Sequence, residues 1–205
     1  MIRISVVLLT IVLTGAAVVG RALGDARIPV TLPVAEGGGE CVMAWSKPGV
    51  SFVPLTPGTN PSSYAFPKVS GTVEVDLAYA TDPVNLAASI RAALAADGGF
   101  SLTDASGHSL QVSDPQVSLP SGESTFLVKT SADPSGTRMS IYVPSTPPSL
   151  VPEVSTALLP KLKVGVPATK VNATQDFADA LNSAFGPGSA SAGAWFATCS
   201  GSLSS

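Results

Sequence analysis

The sequence predicts an α+β fold: a mostly antiparallel β-sheet with two principal helices, forming a single disulfide-closed domain after an N-terminal signal or anchor segment. Three observations lead to this prediction. Several short segments alternate apolar and polar residues, which is typical of strands with one solvated face. Two other segments place apolar residues at helical spacing and begin at capping residues. The chain also has two cysteines, one near each end of the part that follows the N-terminal segment.

The composition is that of one folded domain. A chain of 205 residues fits one globular domain, or at most two small ones. Charged residues make up 12% of the chain and hydrophobic residues 45%, which is too apolar for a disordered protein. The net charge is −3 and the 11 basic residues are scattered. Because nucleic-acid binding requires clustered Lys and Arg, we expect no nucleic-acid partner.

The N-terminal segment indicates export. Met1–Arg3 supplies a positive charge, and Ile4–Gly20 carries no charge at all. This run is longer than a typical signal-peptide core of about 7–15 residues and shorter than a membrane span of about 20. We therefore predict a signal peptide over residues 1–26, with a single-span anchor as the alternative, and an extracytoplasmic domain over 27–205. In either case, membrane contact is expected only through the N-terminal segment.

The two cysteines are expected to form a disulfide, because exported proteins fold in oxidising compartments. Cys41 begins a predicted strand that ends at Trp45, and a predicted final strand runs from Trp195 to Cys199. If these strands pair antiparallel, Cys41 lies opposite Cys199 and Trp45 opposite Trp195, on one face. A bridge between two stacked sheets is the alternative, and it leaves the position of the tryptophans open. Gly37–Gly39 precedes this region and reads as a hinge.

The first predicted helix follows a predicted strand, Thr72–Leu77. Asp82 can cap the helix, and Pro83 suits its first position. One face carries apolar residues, and the helix is expected to end at Asp97–Gly99. These apolar residues are Leu86, Ile90, Ala93 and Leu94.

Two hairpins are predicted between the helices. Phe100–Thr103 and Ser109–Val112 flank a tight turn. Thr125–Thr130 and Arg138–Val143 flank Asp133-Pro134-Ser135-Gly136, which matches a type I turn at three positions.

The second helix is predicted to open at Asn172 or Thr174 and to end at Gly186. Its apolar face carries Phe177, Leu181, Ala184 and Phe185. The segments 70–113 and 161–204 match in residue type at an offset of 91 residues, which drifts after the helices, and this pattern suggests two weakly related halves. The alternative is that any two amphipathic helices following strands share such a pattern.

We expect no catalytic residue, metal or cofactor. His108 is the only histidine, and it lies in a predicted turn, so serine- and cysteine-based hydrolysis lack a suitably placed base. Zinc sites require several Cys and His ligands. Glycosidases work with two carboxyl groups and need no histidine. The pairs Glu74/Asp76 and Asp176/Asp179 therefore make a glycosidase the one enzyme class that the composition permits.

Four aromatic residues are candidate binding contacts, with core packing as the alternative role. They are Trp45, Trp195, Tyr64 and Tyr142. Asn172-Ala173-Thr174 is an N-glycosylation acceptor if the source is eukaryotic, and a helix cap otherwise.

Three function classes follow. The first is a non-enzymatic exported structural or surface-assembly subunit of a cell envelope, filament or virion, with protein partners. The low charge and the missing catalytic groups favour it. The second is a periplasmic or extracellular module that binds a glycan or a protein. The third is the carboxylate-based glycosidase.

Overall fold

The computed structural model of the chain describes residues 27, 29–155 and 161–205. The signal or anchor segment predicted over 1–26 lies outside these residues and stays a prediction. Within the described part of the chain, no helix is both long enough and apolar enough to cross a membrane.

The described residues form a 13-stranded sheet and two α-helices. In chain order the elements are β1 (Pro29–Pro33), β2 (Glu36–Met43), β3 (Val50–Pro54), β4 (Ser63–Phe66), β5 (Val69–Asp76), α1 (Pro83–Ser89), β6 (Arg91–Ala96), β7 (Gly99–Asp104), β8 (Ser109–Leu119), β9 (Ser124–Thr130), β10 (Thr137–Pro144), β11 (Val151–Ser155), β12 (Lys161–Ala173), α2 (Gln175–Phe185) and β13 (Trp195–Ser204). A short 3-10 turn, Leu77–Tyr79, follows β5.

The sheet is antiparallel throughout the described strands, in the order β1-β5-β6-β8-β9-β10-β12-β13-β2-β4. Two long strands divide it into halves. β8 pairs with β7 up to Ser113 and with β6 from Gln116 onward. The break falls at Asp114, which has a positive φ of 51°. β12 likewise pairs with β11 at its start and with β10 at its end.

Each half has its own hydrophobic core. The larger core is covered by α2 and contains most of the aromatic side chains. The smaller core is covered by α1. Its buried members are Val73, Val75, Leu86, Ile90, Ala92, Leu119, Leu162, Val164 and Leu203. The fold is therefore mostly antiparallel β-sheet with two helices and one disulfide, as predicted, but it is richer in strand than an α+β description implies.

The first predicted helix is only half correct. Asp82 caps α1 as expected, with its carboxylate accepting the N–H groups of Val84 and Asn85 at 3.1 and 3.2 Å. The helix ends at Ser89, and Arg91–Ala96 forms β6 instead. β6 lies between β5 and β8 and pairs with both. Two ladders of backbone hydrogen bonds thus outweigh the helix propensity of an alanine-rich segment, which is a weak local preference.

The second helix is confirmed. Thr174 is its N-cap, since its side-chain oxygen accepts the Phe177 N–H at 3.2 Å. Gly186 ends it with a φ of 91°. Asn172 does not cap this helix, because it belongs to β12 and pairs with Val143 and Trp195. The glycosylation of Asn172 stays a prediction.

Both predicted hairpins are present, as β7–β8 and β9–β10. In the second, the Asp133 carboxylate accepts the Gly136 N–H at 3.1 Å and closes the turn. The segments 70–113 and 161–204 share a strand–helix–strand order in which the two strands pair antiparallel. A relationship between these halves stays a prediction.

Candidate functional site

The disulfide joins the two ends of the domain. Cys41 and Cys199 lie directly opposite each other in the β2–β13 ladder, with their Cα atoms 4.1 Å apart. The predicted bridge and the predicted direct pairing of these two strands are both confirmed.

The predicted opposition of Trp45 and Trp195 is wrong. The regular ladder ends at Met43 and Ala197, and the N–H groups of Ala44 and Trp45 both donate to the Phe196 carbonyl. Trp45 stacks on the Phe196 ring at a centroid distance of 6.0 Å. Trp195 is 52% exposed, with the Lys170 ammonium 4.8 Å from its ring centroid. One extra residue in the strand is enough to change which side chains face the core.

Next to the disulfide, the β2–β13 pair has no side chains on its inner face. Side chains repeat every second residue, so Cys41 and Cys199 are followed on the same face by the opposed glycines Gly39 and Gly201. A Cβ at Gly39 would lie 2.9 Å from the Ser200 carbonyl oxygen, too close to be accommodated without a shift of the backbone. The segment predicted as a hinge is therefore part of a strand, and its glycines keep the backbones close and the space above them empty.

This space is a cleft of about 180 Å³ between the two cores. β2, β12 and β13 form one wall. Further lining residues come from β4, β5, β6, β8, β9 and β10, and from the segment after β10. The residues with the largest apolar groups in the lining are Phe66, Val69, Leu94, Pro115, Val117, Leu119, Phe126, Tyr142, Pro144, Pro148, Val166, Val171 and Leu203.

The cleft has no charge. None of the described residues that line it carries a charged side chain, and the polar side chains among them are hydroxyls. The residues with these hydroxyls are Ser124, Tyr142, Thr169, Ser200 and Ser202. The side chains of Ser200 and Ser202 lie on the face of β13 opposite to Cys199 and Gly201, so these two serines border the cleft with their backbone. A concave apolar surface with a few hydroxyls suits a neutral, mostly apolar molecule. The volume is comparable with that of an engineered cavity of about 150 Å³ that admits benzene.

One residue of the cleft lining, Tyr142, is paired with a second tyrosine, Tyr64, that lies in the larger core. Tyr64 is fully buried, Tyr142 is 3% exposed, and their hydroxyls share a hydrogen bond. Burial raises the pKa of both phenols, strongly for each. Burial therefore favours the neutral phenols, which both donate and accept hydrogen bonds.

The structure distributes the four candidate aromatics among different environments. Tyr142 lines the cleft, whereas Tyr64 and Trp45 pack in the larger core and Trp195 lies at the surface. Phe66 and Phe126 also line the cleft, and the sequence analysis did not select them. One feature of the sequence could have located the cleft. Pairing the two strands so that Cys41 faces Cys199 also places Gly39 opposite Gly201.

The candidate carboxylates hold local structure. Asp76 accepts the Ala78 N–H at 3.0 Å and caps the 3-10 turn. Glu74 is exposed and opposite Arg91 in the ladder. Asp179 accepts a hydrogen bond from the Gln175 side chain at 2.9 Å. Among the described residues, no group of three or more His, Cys, Asp or Glu side chains could hold a metal ion.

His108 lies in the exposed turn between β7 and β8. Its Nδ1 is 2.9 Å from the Asp104 carboxylate, which also accepts the N–H groups of His108 and Ser106. The hydrogen bond from the His108 side chain, followed by these backbone bonds, holds the pKa of Asp104 below its ordinary value.

This lowered pKa predicts a pH dependence of stability. A carboxyl whose pKa is lower in the folded state stabilises the fold above its unfolded pKa of about 3.9, and the contribution is lost as the pH falls through the folded pKa. The Asp104→Asn variant should therefore be less stable than the wild type at pH 7, and the difference should shrink below about pH 4. Urea unfolding at pH 7 and pH 3 measures this difference. An equal difference at both pH values would contradict the prediction.

Comparisons with known proteins identify no family. No family model matches the chain, and no curated protein matches its sequence. A solved structure of the C-terminal domain of HtaA from Corynebacterium glutamicum is similar over 84% of this chain and 98% of that domain, with 17% sequence identity and a TM-score of 0.48. A likeness of this degree supports no functional argument.

Proposed function

We propose that this protein is an exported, non-enzymatic binding module that takes a small apolar molecule in the cleft between its two cores. The observation that carries the proposal is the charge-free lining of that cleft beside the Gly39–Gly201 pair. An open apolar cleft of this kind is best explained by an occupant.

The disulfide supports the location outside the cytosol. Structural disulfides form and persist in oxidising compartments and are rare in the cytosol. The Cys41–Cys199 bridge therefore indicates an exported protein. Within this proposal the compartment is periplasmic, extracellular or surface-associated, and membrane contact is made only through residues 1–26.

The placement of the polar side chains supports a non-enzymatic role. The carboxylates Asp76 and Asp104 are engaged by backbone N–H groups, and no carboxyl side chain is found among the described residues that line the cleft. A glycosidase would need two carboxyl groups facing one substrate site. A glycan would also be a poor occupant, because its many hydroxyls would lose water without gaining charged or amide partners.

The edges of the sheet favour a small-molecule binding module over a subunit that assembles by pairing its edge strands with those of another molecule. Of the outer strands among the described residues, β1, β3 and β11 carry proline, at positions 29, 33, 54 and 152, whereas β4 has none and is instead bridged on its outer side by Pro57. Proline has no N–H to donate, so such strands resist addition of a strand from another molecule. The assembly subunit predicted from composition would have to use another surface.

Narrowing the cleft tests the proposal. Val117 lines the cleft and is half-buried, whereas Val143 is 47% exposed and lies between two lining residues on the other face of β10. We expect the wild type and Val143→Phe to bind α-methylstyrene, a neutral hydrocarbon, in titration calorimetry. Val117→Phe should weaken binding at least about ten-fold, because the new ring occupies the space of the ligand. Circular dichroism checks that both variants are folded.

Absence of binding by the folded wild-type protein would overturn the proposal. Equal binding by the wild type and both variants would also overturn it, since the hydrocarbon would then bind outside the cleft.

A further inference from the structure

Of the two protons on the tyrosine hydroxyls, only one is donated in the hydrogen bond between them. Each hydroxyl carries one proton and can also accept. In the Tyr64–Tyr142 hydrogen bond one hydroxyl donates and the other accepts, so the accepting hydroxyl keeps its own proton. Among the described residues, neither hydroxyl makes a further hydrogen bond. A buried donor without an acceptor is costly.

The surroundings indicate which hydroxyl keeps the spare proton. Tyr64 is enclosed by aromatic rings, with the centroids of Phe66 and Phe100 at 5.4 and 4.9 Å and that of Phe52 at 6.3 Å. None of these rings offers a hydrogen-bond acceptor of ordinary strength. Tyr142 is also surrounded by rings, with the centroids of Phe126, Phe196 and Phe177 at 5.4, 5.6 and 6.4 Å, but unlike Tyr64 it lines the cleft. The better arrangement therefore has Tyr64 donating to Tyr142, which leaves the Tyr142 proton for a group in the cleft.

We infer that the cleft selects a neutral apolar molecule carrying one acceptor oxygen, of the ketone or ether type, which accepts a hydrogen bond from the Tyr142 hydroxyl. This inference rests on the proposed function and adds the chemistry of the ligand. A cation is disfavoured, because no described lining residue carries a negative charge. An anion is equally disfavoured, because none carries a positive one. The neutral phenols supply a hydrogen bond without a charge, which suits an uncharged oxygen.

A matched pair of probes tests the inference. Acetophenone and α-methylstyrene have nearly the same shape, but only acetophenone has an acceptor oxygen. In Tyr142→Phe the affinity for acetophenone should fall about five-fold, the effect of one neutral hydrogen bond, whereas the affinity for α-methylstyrene should not fall. Tyr64→Phe is the matched control. It removes the other hydroxyl of the same pair, and the Tyr142 proton remains, so the affinity for acetophenone should be kept.

A second measurement needs no variant and so does not depend on folding of Tyr142→Phe. Infrared spectroscopy of acetophenone bound to the wild-type protein should show the carbonyl stretch shifted to lower wavenumber than in hexane, as a hydrogen-bonded carbonyl requires.

The outcomes separate the two proposals. If neither probe binds the wild type, the proposed function fails and this inference fails with it. If both probes bind but the carbonyl stretch equals that in hexane, or Tyr142→Phe weakens both probes alike, the inference alone is overturned. Equal losses of acetophenone affinity in the two tyrosine variants would also overturn it, since the hydrogen bond between the tyrosines would then matter only for the shape of the cleft.

Discussion

Replacing both cysteines with serine is expected to lower the free energy of unfolding by about 5 kcal/mol. The bridge spans a sequence separation of 158 residues, and in the chain-entropy model the stabilisation grows with the logarithm of the closed loop. Cys41 is also 2% exposed and belongs to the larger core, so its hydroxyl replacement would be poorly solvated. Urea unfolding of the wild type and of the Cys41→Ser/Cys199→Ser variant measures the difference.

Reduced wild-type protein is the matched control for this variant. It lacks the bridge but keeps both sulfur atoms in place, so it separates loss of the loop constraint from loss of the sulfur packing. We expect most of the effect to appear already on reduction. If the oxidised, reduced and double-serine proteins unfold at the same urea concentration, the bridge does not constrain the unfolded chain as argued here.

The features that the sequence predicted correctly are those with local causes. α2 is bounded by a capping threonine and a glycine with positive φ, and its apolar face repeats at helical spacing. The two hairpins turn at aspartates whose carboxylates accept nearby N–H groups, Asp104 and Asp133. The disulfide register followed from a spacing shared by the two ends of the domain. The capping and turn residues lie within a few residues of the helix or hairpin that they determine. The register of β2 and β13 is fixed by one covalent bond.

The errors have causes elsewhere in the fold. Leu86, Ile90 and Leu94 lie at helical spacing, but Ala92 and Leu94 also suit alternation in a strand. Pairing with β5 and β8 decides the matter for β6, and those strands come from distant parts of the sequence. Short apolar runs that satisfy both periods cannot be assigned from the sequence alone.

The cleft could not be predicted because no single segment encodes it. It requires Gly39 to meet Gly201 across a strand pair, and β8 to change partners at Asp114 so that Pro115 and Val117 face the gap. Of the candidate binding aromatics, only Tyr142 reached this site. Aromatic residues are more often buried for packing than kept for binding, and Tyr64 and Trp45 follow that rule.

The second large effect is expected at Phe196. Replacing it with alanine should lower the free energy of unfolding by about 4 kcal/mol, as truncation of a buried phenylalanine leaves a cavity that its neighbours fill only partly. Phe196 is 1% exposed, and four aromatic rings of the larger core surround it. The centroid distances are 6.0 Å to Trp45, 6.1 Å to Phe100, 5.6 Å to Tyr142 and 5.1 Å to Phe177.

The neighbouring residue provides the control for Phe196→Ala. Trp195 is larger but 52% exposed, and its described contact with a charged group is that of the Lys170 ammonium over its ring. An exposed cation–π contact of this kind contributes about 0.5–1 kcal/mol, so Trp195→Ala should cost about 1 kcal/mol or less. Chemical unfolding of both variants compares their losses of unfolding free energy. The difference is expected because the extra residue at the end of the β2–β13 ladder turns Phe196 into the core and Trp195 to the surface. If Trp195→Ala proved the more destabilising of the two, the assignment of Phe196 to the core and Trp195 to the surface would be reversed.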